Sequence, residues 1–541
     1  MPAFVDSRRP LILRSVVVTV ISSALLLGTS SGLPMVWDEG NAIFRATKIV
    51  KWWQKVVSGD LSPFNRAGIA EHWEYTTQIE GHPAFYGTVI ACGMTVANSL
   101  LAPLDACRFG PIMLFGLAIG AMFYRLARQY DMTTACSAVV AVALLPRLFA
   151  HAHFASFDSP LVSCWILSWA AFAPARENWR LALLWGVTLG MTMSCKATGW
   201  VVPVPFVVWT IIYRDRGAAR ALTIAIPTAA FAFYLLNPPL WHDPINGLFT
   251  FLKLNSNREF NVPTQFLGHM YDLNHPLPWY NTLFWVAVTV PVGLLLLLVA
   301  GVVAVCRRWR DEPMGILLLG HWLVLLVVRA LPFAPPHDAV RLFLPSFPFL
   351  AALVGIGAVH LISIAGQRRQ LMVSGVLLLY LGSATSLIFY NPQWLSYYNL
   401  LIGGLPGAKA VGMEPTYYWD GLDRTVLNWL NENTDRNSKV VLAAYPQENL
   451  QLLKTWQLIE FNCLPSEGGT LKWYVVQLRP SKWQPTDRWL VENCESAYSK
   501  RIRDGGRGPW RLDVPLVSVY SYGQYQEAVA ATSAQATAQA R

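Results

Sequence analysis

Polar residues that could accept a proton or hold an anion occur at a few places in an otherwise apolar sequence. Each of them can carry or balance a charge, and each adjoins an uncharged run. They are Asp38 and Glu39, Glu80 and His82, Asp158, Lys196, and His337, Asp338 and Arg341. A carboxylate can take the proton of a hydroxyl group, and a cation can stabilise the charge of a phosphate. This set therefore suits the displacement of a phosphate by an acceptor hydroxyl group.

Several of these residues also have a purely structural interpretation. Asp158 could cap the helix that follows it, because Asp is a favoured N-cap residue. Lys196 could lie along apolar surface and place its charge in water. Asp338 and Arg341 could pair near the start of a helix. The sequence leaves these alternatives open.

The elements that carry these residues belong to a membrane protein. Of the 541 residues, 54% are hydrophobic and only 14% are charged. Uncharged runs of about 20 residues, enough to cross a bilayer, recur in a membrane body of residues 1–390. We predict about eleven crossings. They lie near 11–35, 109–129, 132–150, 159–175, 181–195, 199–213, 221–237, 281–305, 314–331, 341–362 and 371–390.

Arginine-rich loops between the spans predict the orientation of the chain. With this set of spans, all these loops lie on the side of the N-terminus, which the positive-inside bias makes the cytoplasmic side. They contain Arg125 and Arg128, Arg176 and Arg180, Arg214, Arg216 and Arg220, Arg307, Arg308 and Arg310, and Arg368 and Arg369. The candidate site residues then gather at the outer ends of spans. The loops also account for the net charge of +10 without a nucleic-acid partner.

The outer loop 36–108 is predicted to contain helices that lie beside the membrane. Its segment 82–104 is uncharged and long enough to cross, but a crossing there would move every later arginine-rich loop outside. We therefore expect a re-entrant or surface-lying segment, and a chain with its N-terminus outside remains the alternative. The helix predicted over 39–57 carries a basic stripe that begins at Arg45, which favours a position in the lipid interface.

The last part of the chain differs in pattern from the membrane body. Short amphipathic and alternating segments predict a small soluble α/β domain over 391–523, on the outer side. Cys463 and Cys494 could pair there if that side is oxidising. The low-complexity segment 524–541 is predicted to be disordered.

Five motifs occur in an order that resembles one known group of enzymes. They are WDEG after the first span, EGHPAFYG in the outer loop, and then FDSPL, CKATG and HDAVRLFLPSFPFL. This order, over residues 11–390, resembles the C-type (GT-C) membrane glycosyltransferases that use polyprenyl-phosphate sugars, the group of protein O-mannosyltransferases and the lipid A aminoarabinose transferase. The chain has HPAF where many members have HPPL. The resemblance implies a GT-C fold and inverting transfer of a sugar to an acceptor hydroxyl group.

The resemblance also implies roles for individual residues. Asp38 would be the general base or orient the acceptor, with Glu39 supporting it and Asp158 as the second acid of the catalytic set. The donor phosphate would be bound by Lys196, Arg341 and His337. The substrate cavity would be lined by Glu80, His82 and Asp338.

The resemblance further implies which partners and surroundings to expect. They are a polyprenyl-phosphate sugar, membrane lipids, and an acceptor glycan, lipid or protein at the outer face of a bacterial inner membrane. No cofactor is required by the sequence, although Mg²⁺ or Mn²⁺ would suit the carboxylates. The main alternative is a secondary transporter or lipid flippase, because acids and cations within membranes also serve transport. Transporters tend to carry such residues near the bilayer midplane and to contain repeats, and no repeat is found here.

Overall fold

The computed structural model describes residues 8–77, 81–256, 261–502 and 513–539. A helical body occupies the chain as far as Tyr390, and a smaller domain with a sheet follows it. The elements of the body are, in chain order, α1 (Arg8–Ser30), α2 (Glu39–Val57), α3 (Arg66–Thr77), α4 (Phe85–Ala97), α5 (Pro103–Gln129), α6 (Met132–Ala143), α7 (Pro146–His151), α8 (Asp158–Ala175), α9 (Trp179–Met193), α10 (Pro203–Tyr213), α11 (Arg216–Leu235), α12 (Pro244–Ser256), the hairpin β1 (Thr264–Phe266) and β2 (His269–Tyr271), α13 (Asn281–Thr289), α14 (Val292–Arg307), α15 (Pro313–Ala330), α16 (Phe347–Ile364) and α17 (Arg369–Tyr390).

The predicted helical membrane body is confirmed. Within the described ranges, six helices are long and apolar enough to cross a membrane: α1, α5, α11, α15, α16 with the turn before it, and α17. Other helices occupy the remaining predicted spans. Two of those spans are divided by proline into two helices each: Pro146 begins α7 after α6, and Pro291 precedes α14 after α13. Proline has no N–H to donate and crowds the preceding turn, so a helix restarts there. The count of about eleven crossings stays a prediction.

The outer loop forms three helices, α2, α3 and α4. Helix α4 has 13 residues, so it is about 20 Å long and shorter than the roughly 30 Å of a bilayer core. That segment 82–104 does not cross the membrane stays a prediction. Helix α4 packs closely on α5, where a side chain on Gly93 would collide with the backbone of Gly110. Arg45 of α2 does not face the lipid, although the predicted basic stripe required it. It is buried and donates to Tyr86 Oη at 2.6 Å.

The C-terminal domain has the predicted α/β character. Its elements are α18 (Gly404–Ala410), α19 (Arg424–Glu432), β3 (Lys439–Leu442), α20 (Gln447–Thr455), β4 (Leu471–Gln477), α21 (Pro485–Asn493), β5 (Tyr498–Arg501), β6 (Pro515–Ser521) and α22 (Tyr522–Gln539). The strand order is β3-β4-β6-β5, with β3 and β4 parallel and the other pairs antiparallel. Strand β5 was not predicted, because its YSKR sequence lacks an apolar alternation.

The end of the chain corrects a prediction. Segment 524–541 was expected to be disordered, but the structure continues helix α22 to Gln539. Its alanine-rich composition has high helix propensity. Its first turns also pack on the sheet, since Tyr525 stacks on Tyr474 with ring centroids 4.4 Å apart and Ala528 is fully buried.

The two cysteines of the C-terminal domain are not joined. Cys463 and Cys494 are both free thiols. Cys463 belongs to the hydrophobic cluster that includes α19 and α20, whereas Cys494 packs with α21 and α22. The two thiols therefore lie in different hydrophobic clusters of this domain.

Candidate active site

The guanidinium group of Arg341 connects the candidate residues. Its Nε donates to Asp158 Oδ2 at 2.7 Å, and its two terminal nitrogens pair with Asp338 and Asp38. Lys196 Nζ bonds the other oxygen of Asp158 at 2.8 Å. Five residues from four separate parts of the sequence thus form one group, the Arg341 cluster: Asp38, Asp158, Lys196, Asp338 and Arg341.

The members of the Arg341 cluster differ in their access to solvent. The side chain of Asp38 is 23% exposed, whereas that of Asp158 is 1% exposed and that of Asp338 is 6% exposed. Asp38 is therefore the carboxylate of the cluster that a substrate can reach. The other two carboxylates balance the buried cations, which would be costly to leave unpaired.

Asp158 and Lys196 act as a buried pair. Asp158 begins α8 but forms no capping hydrogen bond, since its two oxygens bond Lys196 and Arg341. The amino group of Lys196 lies 4.4 Å from the ring centre of Phe157, and the guanidinium carbon of Arg341 lies 5.0 Å from it. Lys196 is only 7% exposed, so it does not extend to water. Asp158 therefore makes no capping hydrogen bond within the described residues, and Lys196 does not place its charge in water.

A strained backbone brings Asp338 and Arg341 together. Asp338 and Ala339 have φ angles of +60° and +48°, both in the left-handed region. Asp tolerates that region, but for alanine it costs roughly 1–2 kcal/mol. The short helical turn Ala339–Ser346 then begins, and it turns Arg341 back toward Asp338. Such strain persists only where surrounding contacts hold it.

Glu39 belongs to a separate buried group. Its Oε1 accepts from Arg108 Nε at 2.8 Å and from the backbone N–H of Ala155 at 2.9 Å, and its Oε2 accepts from Arg108 Nη2 at 2.7 Å. Both side chains are fully buried. Arg108 also donates to the carbonyl groups of Leu33 and Pro34. This group, called the Glu39–Arg108 clamp, fixes the backbone next to Asp38 without touching the Arg341 cluster.

The predicted cavity residues are placed as follows. His82 stacks on Phe157 with ring centroids 4.7 Å apart, so it borders the aromatic ring that Lys196 and Arg341 face. His337 Nε2 lies 3.9 Å from Asp338 Oδ2. Glu80 lies outside the described residues.

Two site residues come from the C-terminal domain and were not predicted. Tyr418 Oη donates to Asp38 Oδ2 at 2.9 Å, and Arg479 Nη2 bonds Asp338 Oδ1 at 3.1 Å. Burial raises the pKa of Tyr418, so its hydroxyl group stays protonated and donates. Burial opposes ionisation of Asp338, yet Arg341, His337 and Arg479 hold its pKa below the ordinary value. The signal in the sequence was the cluster TYYWD (416–420) after the last span.

The geometry does not select a metal. Among the described residues, no group of three His, Cys, Asp or Glu side chains could hold a metal ion. The three carboxylates of the Arg341 cluster bind its guanidinium group instead. A divalent cation stays a prediction.

Comparison with known proteins identifies the fold. The structure of ArnT from Cupriavidus metallidurans in the apo state has a TM-score of 0.52 and 14% sequence identity, covering 94% of this chain and 98% of that chain. ArnT bound to undecaprenyl phosphate has a TM-score of 0.49 at 14% identity, with 96% and 99% covered. The archaeal oligosaccharyltransferase AglB from Archaeoglobus fulgidus, in complex with an inhibitory peptide and a dolichol-phosphate, has a TM-score of 0.46 at 11% identity, with 86% and 69% covered.

Sequence comparison agrees with the fold over part of the chain. The family described as dolichyl-phosphate-mannose-protein mannosyltransferase matches residues 82–242, less than half of the chain. No curated protein matches the sequence. The matched segment contains His82, Asp158 and Lys196. The predicted GT-C fold of a multi-pass membrane protein is confirmed by the similarity to the apo ArnT structure.

Proposed function

We propose that this protein transfers a sugar from a polyprenyl-phosphate donor to an acceptor hydroxyl group. The observation that carries the proposal is the Arg341 cluster, in which one partly exposed carboxylate, Asp38, pairs with the buried cation Arg341, and Asp158 links Arg341 to a second buried cation, Lys196. The description of the matched family pairs a lipid phosphate with mannose, which supports this class of donor. The reaction takes place at the outer face of the cytoplasmic membrane, with the C-terminal domain on that side.

The reaction is a single displacement. Asp38 accepts the proton of the acceptor hydroxyl group while the acceptor oxygen forms a bond to the anomeric carbon. The bond from that carbon to the phosphate oxygen breaks, and its electron pair leaves with the polyprenyl phosphate. One displacement inverts the anomeric centre. General base catalysis of this kind contributes typically about 10²–10⁴-fold to the rate.

The charges in the cluster remain balanced during this step. The phosphate gains one negative charge as it leaves, and Asp38 loses one as it takes the proton. The terminal nitrogen of Arg341 that pairs with Asp38 then becomes available to a phosphate oxygen, and Lys196 lies on the far side of Asp158. Arg341 thus exchanges a carboxylate for the leaving phosphate, which lowers the barrier by stabilising the new charge where it forms.

The proposal also covers the acceptor and the transferred sugar. A glycan, a lipid or a protein could supply the hydroxyl group, and the transferred unit is a hexose or pentose. His82 borders the ring of Phe157 and would contact the substrate. His337 would assist phosphate binding beside Asp338.

Lipid analysis of purified protein tests this function. Wild type, Asp38→Asn and the exposed control Asp311→Asn are purified with their bound lipids, incubated with an extract of host membrane and analysed by mass spectrometry. We expect Asp38→Asn to retain a polyprenyl-phosphate sugar, whereas wild type and the control carry mainly polyprenyl phosphate. If none of the three binds a polyprenyl lipid, the donor assignment fails and lipid transport becomes the leading hypothesis.

A further inference from the structure

The C-terminal domain holds the chain segment that carries Asp38. Tyr445 Oη donates to the carbonyl oxygen of Met35 at 2.8 Å, and Asn449 Nδ2 donates to that of Val36 at 2.9 Å. The side-chain oxygen of Asn449 accepts from the backbone N–H of Gly40 at 3.1 Å. Asn449 thus bonds the backbone on both sides of Asp38, so the position of this carboxylate depends on the C-terminal domain.

A second contact comes from the segment 413–420, which precedes α19. The backbone N–H of Trp37 donates to the carbonyl oxygen of Tyr418 at 3.3 Å. The rings of Trp419 and Trp37 pack at a tilt of 33° with centroids 3.9 Å apart, and the guanidinium carbon of Arg479 lies 4.0 Å from the centre of the Trp419 ring. The φ angle of Trp419 is +58°, a conformation that is unusual for a bulky residue. These contacts hold the backbone at Trp419 in its strained conformation. In that conformation the side chains of Tyr418 and Trp419 point in different directions.

The side chain of Tyr418 enters the Arg341 cluster. It is fully buried, its hydroxyl group donates to Asp38 Oδ2 at 2.9 Å, and its ring lies 4.2 Å from the guanidinium carbon of Arg341. Arg341 bonds the same oxygen of Asp38, whereas Oδ1 of Asp38 makes no hydrogen bond within the described part of the chain. The contacts of one oxygen therefore fix the direction in which the other faces.

We propose that Tyr418 is a positioning residue for Asp38, so that the membrane body and the C-terminal domain build the transferase site together. This inference rests on the proposed function, because it assigns Asp38 as the base. Tyr418 holds Oδ2, and Oδ1 receives the proton of the acceptor hydroxyl group. The C-terminal domain is in this way a part of the reaction site as well as a cover for it.

The neighbouring Tyr417 supplies a matched control. It is also buried, but its hydroxyl group bonds His151 Nε2 at 2.9 Å, and in the described part of the chain it has no hydrogen bond to the Arg341 cluster. Tyr417→Phe and Tyr418→Phe each remove one buried hydroxyl group from adjacent positions. A merely structural role would make the two variants alike.

Kinetics of the full-length protein in lipid nanodiscs distinguish the two roles. The probe is undecaprenyl-phosphate mannose with an extract of host membrane as the source of acceptor. A hydrogen bond to a charged group is worth enough for an expected kcat loss of about 10- to 100-fold in Tyr418→Phe, with the KM for the donor unchanged. Tyr417→Phe should match wild type. Equal kcat values for the two variants would overturn the inference.

A double-mutant cycle separates this inference from the proposed function. Apparent melting temperatures are measured for wild type, Tyr418→Phe, Asp38→Asn and the double variant. A positioning contact predicts non-additive shifts, because the two groups interact directly, and additive shifts would overturn it. If wild type transfers no more sugar than Asp38→Asn, the proposed function fails, while the cycle still decides whether Tyr418 holds Asp38.

Discussion

Asp38 and Glu39 are adjacent in the chain but belong to regions with different physical properties. In the Glu39–Arg108 clamp, both charged side chains are fully buried and the oxygens of Glu39 are saturated by Arg108 and backbone N–H groups. In the Arg341 cluster, the side chain of Asp38 keeps 23% of its surface exposed, and its Oδ1 accepts no hydrogen bond from any residue that the structure describes. A carboxylate must retain such access to exchange a proton with a substrate. Under the proposed function, the WDEG motif therefore combines one acid that reacts, Asp38, with one that holds the backbone, Glu39.

The largest expected effect concerns the reactive acid. Asp38→Asn keeps the shape of the side chain but removes the group that takes the proton, so we expect the transfer rate to fall by about 10²–10⁴-fold. The melting temperature should fall far less than for the loss of a fully buried partner, because Asp158 and Asp338 still pair with Arg341. Transfer assays and melting curves on the same preparation check both statements. If the variant keeps the wild-type rate, Asp38 is not the group that takes the proton, and the proposed difference between Asp38 and Glu39 fails.

The structural acid should show the opposite behaviour. Glu39→Gln leaves the buried guanidinium group of Arg108 without its charge partner, which typically costs about 3–5 kcal/mol. We expect a low yield of folded protein and a large drop in melting temperature. The control is Glu460→Gln, since Glu460 forms an exposed pair with Arg436. If the two variants melt alike, the clamp has no structural role.

Asp420 extends the comparison to a carboxylate that has no hydrogen-bonded cation. One oxygen accepts a long hydrogen bond from Ser396 Oγ at 3.4 Å, and the other has no hydrogen-bond partner among the residues that the structure describes. Burial raises the pKa of Asp420 to about 6. The folded state therefore keeps a proton that the unfolded state releases above about pH 4.

The free energy of unfolding should consequently fall as the pH rises from about 4 toward 6, by up to about 3 kcal/mol for this group. Asp420→Asn lacks this contribution. Melting temperatures of wild type and variant between pH 4 and pH 8 test the prediction: the difference between them should shift in favour of the variant up to pH 6 and then level off. A difference that is constant with pH would contradict it.

The smallest expected effect concerns the residue after the two acids. A side chain on Gly40 would approach the backbone nitrogen of Asn449 to 2.7 Å, so Gly40→Ala should push α20 away from α2. We expect a loss of about 1–3 kcal/mol, as for other overpacked sites. Gly28→Ala is the control, because a side chain there meets no atom within 4 Å. Equal melting temperatures for the two variants would show that α20 can move away from α2 without a loss of stability.

The candidate site was predicted in part, for identifiable reasons. Asp38, Asp158, Lys196 and Arg341 stood out because ionisable residues are rare beside apolar runs, and the structure brings them together. Tyr418 gave no such signal, since tyrosine is common at membrane surfaces. Its place depends on the left-handed turn at Trp419, which no propensity predicts. The roles in catalysis stay predictions.

The amino-acid sequence is enough to predict the helices of the membrane body, the α/β pattern of the C-terminal domain and the ionisable residues of the candidate site. Hydropathy and short-range periodicity carry that information, because both depend on neighbours within a few turns. Only the tertiary structure decided which charges pair. Asp38 contacts Arg341 and Tyr418, which lie 303 and 380 positions later in the sequence. The adjacent Glu39 pairs with Arg108. Such pairings follow from packing and from the cost of burying an unpaired charge, which local sequence does not encode.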